Sequence, residues 1–226
     1  MLERLTCNGC ALHPLCLPAG LDRIALEQLD GIIARPPPTL RGKHLFRAGD
    51  PFRALIAIRS GSVKTGTLSE EGREAVTGFY SPGDPVGLDA IHAGRHSGGA
   101  LDLESTCVCE IPFGRLEDLI AITPMLERRL LRIMSRGIGA DTEQRALLAR
   151  TTAEQRLVAF LCSLAVRLRE RGLPDRQFAL ALSRHDLGSY LGLALETVSR
   201  LLSRFQQQGW IALRGKQVTI QQLDRF

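Results

Sequence analysis

The chain has 226 residues, 44% of them apolar and 23% charged, an ordinary balance for a soluble globular protein and length enough for two domains with separate cores. No apolar run approaches the roughly 20 residues a membrane-spanning helix needs. Met1–Leu5 carries Glu3 and Arg4 and then meets cysteines, so it is no signal peptide, and the chain is expected in the cytoplasm with no membrane partner. The net charge of +5 is uneven: residues 1–149 hold 17 basic and 18 acidic side chains, residues 150–226 hold 12 and 6, as expected when only the last third meets phosphate.

The chain opens on Cys7, Cys10 and Cys16, spaced C-x2-C-x5-C and followed by Leu17-Pro18. Six cysteines in a reducing compartment point to metal or redox chemistry before disulfides. Thiolates this close can fold around one soft metal centre, and an iron–sulfur cubane needs a fourth from elsewhere. His13 offers a second reading, a zinc set of Cys7, Cys10, His13 and Cys16, with Pro14 beside it suggesting a turn. Leu21–Ala34 then places Leu21, Ile24, Leu26, Leu29, Ile32 and Ile33 at helical spacing, and Pro36-Pro37-Pro38 ends that helix. From Thr39 to about Pro112 short β-type runs such as Leu55–Ile58 and Val63–Leu68 alternate with turns at Gly49, Gly61, Gly72 and Gly83, the texture of an antiparallel double sheet or jelly roll. His92 and His96, in a Gly-rich stretch, are expected to be solvated loop histidines.

Pro124–Arg150 is long, helical and nearly free of breakers. Leu131, Met134, Ile138, Asp141, Arg145 and Leu148 follow steps of three and four, a coiled-coil seam that predicts a homodimer. Leu126, Leu130 and Ile133 offer a second apolar face for the protein's own barrel. Thr151-Thr152-Ala153-Glu154 has the form of a capping box at Thr151, opening a helix to about Glu170, with Cys162 expected in its core. Ser183-Arg184-His185-Asp186 is a similar start to a helix that Gly192 interrupts. A second helix runs from about Leu195 to Gln208, and Trp210–Leu213 and Gln217–Ile220 flank a tight turn. Helix, turn, helix, hairpin is a winged helix-turn-helix.

Glu196, Ser199 and Arg200 share the outer face of that second helix, while Val198, Leu201 and Leu202 turn to the core. In a major groove an Arg can bond guanine O6 and N7 together, a Glu can accept from cytosine N4, and a Ser can bond several edges. Arg204 and Lys216 are placed for phosphates. The competing reading is a solvated Glu–Arg pair at i, i+4. Double-stranded DNA is the expected partner.

Here a resemblance becomes specific. Tyr190-Leu191-Gly192-Leu193, Glu196–Arg200 and Leu201-Leu202 resemble the recognition segment of the cyclic-AMP receptor/FNR family. The likeness runs on through Gly83-Asp84-Pro85-Val86-Gly87, Cys109-Glu110-Ile111-Pro112-Phe113 and the long helix. It implies an α+β fold in four parts: a cysteine-rich arm (1–20), a jelly-roll sensory domain (21–123), a dimerisation helix (124–150) and a winged helix-turn-helix (151–226). The cyclic-nucleotide branch carries a Glu after the second Gly of its phosphate loop and an Arg-Ser or Arg-Thr pair. Here Leu88 follows Gly87 and Ser97-Gly98 stands near the pair's place, so a buried cyclic phosphate would lack its charge partner and no cyclic nucleotide is expected.

Ser199 resembles the FNR branch, which implies a palindrome of TTGAT-like half-sites. The same resemblance implies a 4Fe–4S cluster on Cys7, Cys10, Cys16 and Cys109. Cys107, two residues before Cys109, would face the same way on a strand and reads as a packed thiol or a substitute ligand. The function implied is an oxygen-responsive dimeric regulator of anaerobic metabolism that contacts RNA polymerase. Two alternatives stand beside it: the same fold switched by thiol–disulfide or zinc chemistry, and an iron–sulfur electron carrier. No nucleophile motif, phosphate-binding loop or carboxylate pair indicates an enzyme.

Overall fold

The protein is described by a computed structural model covering residues 6–69, 71–150 and 152–222. It forms two compact units. One holds the chain up to Leu68 together with Gly78–Ala140, the other Ser69–Thr77 and the chain from Asp141 onward.

In the first unit the cysteine arm is a series of tight turns, with His13 N–H on Cys10 O at 2.9 Å and Cys16 N–H on Leu12 O at 3.0 Å. Helix α1 (Arg23–Ile32) follows, capped by Asp22, whose carboxylate accepts from Ala25 N–H at 2.8 Å. The double sheet is as expected. β1 (His44–Phe46), β6 (Gly99–Asp102), β3 (Val63–Leu68) and β4 (Glu74–Tyr80) form one layer, and β5 (Pro85–Val86), β2 (Ala54–Ser60) and β7 (Cys107–Pro112) the other. Phe46, Ile56, Ile58, Val63, Val86, Ala100 and Val108 fill the space between.

Two helices go unannounced by the sequence pattern, the single turn α2 (Ala90–Ala93) and the longer α3 (Phe113–Ile122). The latter leads into α4 (Pro124–Arg150), whose bounds match the sequence reading. Leu126 and Leu130 are buried with Leu17, Leu29, Leu55, Ile111, Leu116 and Leu119, and Ile133 packs beside them, so the inner face of α4 covers the barrel. Met134, read as a seam residue, also packs partly on this core, which its long flexible side chain permits. Leu131 and Ile138 remain 58% and 64% exposed.

His96 is not a solvated loop histidine. Only 6% exposed, it stacks on Phe46 with ring centroids 3.6 Å apart and meets Phe52 edge-on at 5.8 Å. Its Nδ1 is buried without a hydrogen-bond partner, and burial pushes the ring's pKa down. His92 is exposed as expected.

In the second unit α5 (Ala153–Glu170) is capped one residue later than expected. Thr152 Oγ1 accepts from Gln155 N–H at 3.3 Å and the Gln155 side chain accepts from Thr152 N–H at 3.0 Å. Thr151 lies outside the described residues. Cys162 is half-buried on α5 rather than fully in the core. Then come β8 (Gln177–Ala179), α6 (Arg184–Leu191), α7 (Leu195–Gln207) and the hairpin β9 (Ile211–Arg214) and β10 (Gln217–Ile220), with β8 pairing along β10. Phe205, fully buried, stacks on Trp210 at 5.0 Å, and Leu157, Leu161, Leu187 and Leu191 of α5 and α6 are fully buried in the same unit. Truncating such a buried aromatic to Ala costs about 3–5 kcal/mol.

Candidate DNA interface and cysteine centre

The DNA-reading candidates are positioned by α6 and the turn after it. Ser183 caps α6 reciprocally with Asp186: its Oγ accepts from Asp186 N–H at 3.0 Å, and Asp186 Oδ2 accepts from Ser183 N–H at 3.3 Å. Gly192 ends α6 at φ +63, a left-handed backbone that glycine adopts without strain. Arg156 braces the turn, its Nη1 donating to Leu191 O at 3.2 Å. A Cβ on Gly192 would lie 3.6 Å from Leu148 Cδ2, so the last residue assigned to the seam sits beside the helix-turn-helix of its own chain.

Val198, Leu201, Leu202 and Phe205 bury the inner face of α7, which leaves Glu196 and Arg200 outward and exposed and Ser199 half-buried between them. Among the described residues no ion pair joins Glu196 to Arg200. Arg200 Nη2 instead meets Thr197 Oγ1 at 3.4 Å, a weak contact that leaves the guanidinium available. Arg204 is engaged, forming an ion pair with Glu154 at the start of α5. Lys216 is exposed at the hairpin turn.

The cysteine candidates come from two elements, the arm and β7. Ala34 and Glu110 exchange backbone hydrogen bonds of 2.8 and 2.9 Å, so the chain leaving α1 runs along β7 and brings Arg35 to Cys109. Asp30 accepts from Cys7 N–H at 2.8 Å and pairs with Arg35, whose Nη2 lies 3.4 Å from Cys7 Sγ. Cys16 lies within electrostatic reach of Cys7, Cys10 and Cys109, and Cys109 within reach of Cys10. Burial pushes the Cys7 thiol up to about 12 and the Cys16 thiol up to about 11, and it raises Cys109 as well. Asp30, by its hydrogen bond and its charge, adds to the rise at Cys7, while Arg35 opposes it. These are thiols that hold their protons until a strong Lewis acid displaces them.

Among the described residues no three Cys, His, Asp or Glu side chains are placed to hold one metal ion. A cubane asks for something different, since each thiolate binds a different iron. Four neighbouring thiols, no carboxylate among the donors, and guanidinium groups of Arg35 and Arg129 beside an anionic centre are chemistry that fits it. His13 Nε2 is buried without a hydrogen-bond partner. Half-buried Cys107 is hydrogen-bonded by Ser60 and Arg59, which lower its pKa, and Arg59 also lies near Cys109. Sequence reasoning missed Asp30, Arg35 and Arg129 because nothing local marks them.

Where a cyclic phosphate would be sought, Leu88 packs partly on the α4-facing core and Ser97 Oγ donates to the Asp89 carboxylate at 2.9 Å. A Cβ on Gly87 would meet His96 Cε1 at 2.8 Å and Phe46 Cε1 at 3.3 Å, so the loop is packed tightly onto two rings.

Asp141 and Arg145 are exposed on α4. Arg145 Nε donates to the main-chain carbonyl of Asp141 at 3.3 Å rather than to its carboxylate.

Residues 155–226 match the Crp-like helix-turn-helix domain and residues 39–123 the cyclic nucleotide-binding domain. The chain is 45% identical to the fumarate and nitrate reduction regulatory proteins of Escherichia coli (strain K12) and Shigella dysenteriae, over 99% of this chain and 92% of each relative. Among solved structures it is similar to FixK2 from Bradyrhizobium japonicum, at 28% identity and TM-score 0.78, covering 86% of this chain and 95% of that one. It is also similar to the c-di-GMP responsive global regulator CLP of Xanthomonas campestris, at 25% identity and TM-score 0.68, over 89% and 100%. No described helix is long and apolar enough to cross a membrane.

Proposed function

The chain belongs to the Crp/FNR family of transcription regulators, DNA-binding proteins and not enzymes, and on that premise we propose that it is an oxygen-responsive member holding a 4Fe–4S cluster on Cys7, Cys10, Cys16 and Cys109. The observation that carries this reading is the gathering of Cys7, Cys10 and Cys109 about Cys16, from a turn-rich arm and β7. The chemistry such a group would supply is reaction with dioxygen. The chain's part is to fix the four sulfurs. Asp30 and Arg35 hold Cys7 at the end of α1, β7 fixes Cys109, and buried Leu17 seats the arm beside Cys16 on the barrel.

The regulator works as a cytoplasmic homodimer paired along Leu131, Met134, Ile138, Asp141, Arg145 and Leu148, the exposure of Leu131 and Ile138 supporting that seam. Each α7 enters a major groove of a TTGAT-like palindrome with Glu196, Ser199 and Arg200 towards the bases, and Lys216 meets phosphate. Arg204 reaches phosphate only by sharing its guanidinium with Glu154. Bound there, the dimer contacts RNA polymerase at genes of anaerobic metabolism, as the names of the fumarate and nitrate regulators suggest. No cyclic nucleotide enters this reading: Ser97, near where the phosphate's cation would be sought, donates to the Asp89 carboxylate, a group that repels an anion.

The test is purification under nitrogen followed by titration of a TTGAT palindrome before and after air. A brown protein whose specific affinity falls on exposure to air supports the proposal. A colourless protein, or one with equal affinity in both conditions, contradicts it.

A further inference from the structure

The arm is tied to α4 at one polar point. Arg129 Nε donates to the carbonyl of Cys16 and Nη2 to the carbonyl of Pro14, each at 3.0 Å. The next residue, Leu17, is fully buried against Leu126 and Leu130 of the same helix. A planar guanidinium fork on two carbonyls fixes direction as well as distance, which a single ammonium cannot do. The tether at Cys7 is of another kind, since Asp30 and Arg35 belong to the end of α1 and the chain after it. Of the two, only the Cys16 tether leads into α4, the helix that goes on to present exposed Leu131 and Ile138.

We propose that Arg129 is a positioning residue that couples the cysteine loop to the dimerisation helix, so that the arrangement of Cys16 sets how readily α4 pairs. The inference rests on the cluster reading above. The Cys16 carbonyl belongs to the ligand residue itself and also accepts Ala19 N–H at 3.2 Å. A loop that rearranges when Cys16 is no longer held must therefore either drag Arg129 or release it. Releasing it leaves a part-buried cation on the barrel side of α4 without its two acceptors, and Arg132 and Arg136 nearby add like charge. Both outcomes alter α4 within one or two turns of Leu131.

The experiment compares dimer dissociation constants by sedimentation under nitrogen, for cluster-loaded protein and for the same protein after chelation. The ratio of the two constants is the coupling. Arg129→Ala is expected to keep the wild-type iron content and visible spectrum while the ratio shrinks about tenfold, or 1.4 kcal/mol. Arg129→Lys, able to donate but not as a fork, should restore part of it. Arg128→Ala, exposed on the same helix, removes the same charge and should leave the ratio alone. An unchanged ratio in a loaded Arg129→Ala protein overturns the inference. If that variant takes up no iron, Arg129→Lys decides by the same criterion, and failure of both to load assigns Arg129 to building the site and overturns the coupling role. Wild-type protein without iron would instead overturn the cluster reading on which the inference rests.

Discussion

Replacing Arg200 by Ala probes the recognition face with little disturbance of the fold. Its guanidinium is exposed, has a single 3.4 Å contact with Thr197 Oγ1 and no ion pair with Glu196. Loss of that contact should change folding stability by no more than about 0.5 kcal/mol, the usual range for surface substitutions. Loss of a bidentate guanine contact costs about 1–3 kcal/mol. A symmetric dimer loses it in both half-sites, so roughly 2–6 kcal/mol should disappear from specific binding if the two sites act independently. Anaerobic fluorescence anisotropy on the palindrome, and on versions altered one base pair at a time, reads the loss and its location. The variant should stop discriminating at a single position per half-site while its affinity for unrelated DNA barely moves. Equal losses on specific and unrelated DNA would refute the assignment of Arg200 to a base edge.

Lys216→Ala, by contrast, should weaken all duplexes alike and flatten the dependence of log affinity on log salt, as measured by the same titrations from low to moderate salt. Asp141→Ala should dimerise and bind DNA in air: in a parallel pair the two carboxylates would face each other, and Arg145 spends its guanidinium on a carbonyl rather than offsetting that charge. Sedimentation of this variant as an aerobic monomer would place the weakness elsewhere on α4, with Gly137 and Gly139 the next candidates. His96→Phe should flatten the acid side of the stability curve. The folded pKa of His96 is depressed, so it is neutral in both states above the ordinary value near 6.5; below that the unfolded chain binds the proton first, and stability falls until the folded ring also titrates. Urea unfolding at pH 7.5 and 5.5 reads this, and an unchanged pH difference in the variant would contradict it.

Much of the architecture could be read from local pattern. Sequence nearly free of breakers and opened by Pro124 marked α4, and Ser183 with Asp186 three residues on marked the start of α6, because both signals act within a few residues. The cap of α5 slipped by one residue because Thr151/Glu154 and Thr152/Gln155 both satisfy the motif, and only the folded chain selects the second. His96 misled for the opposite reason. Gly94 and Gly98 give it loop surroundings, while the rings that bury it, Phe46 and Phe52, come from distant stretches of chain. The seam residues divided likewise: Leu131 and Ile138 stay exposed, while Met134 and Leu148 also serve their own chain, a distinction that heptad spacing cannot make. Asp30, Arg35 and Arg129 bear on the cysteines across 23 to 113 residues of sequence, and nothing in their immediate neighbours separates them from ordinary surface charges.

The most direct test of the cysteine centre is a count of iron and acid-labile sulfide per chain after anaerobic purification. The account predicts about four of each in the wild type and in Cys162→Ser and Cys107→Ser. It predicts loss in Cys7→Ser, Cys10→Ser, Cys16→Ser and Cys109→Ser, because a cubane with three thiolates leaves one iron open to exchange and oxidation. A Cys109→Ser protein that kept its full iron and its anaerobic DNA binding would contradict the ligand set and transfer the fourth position to Cys107.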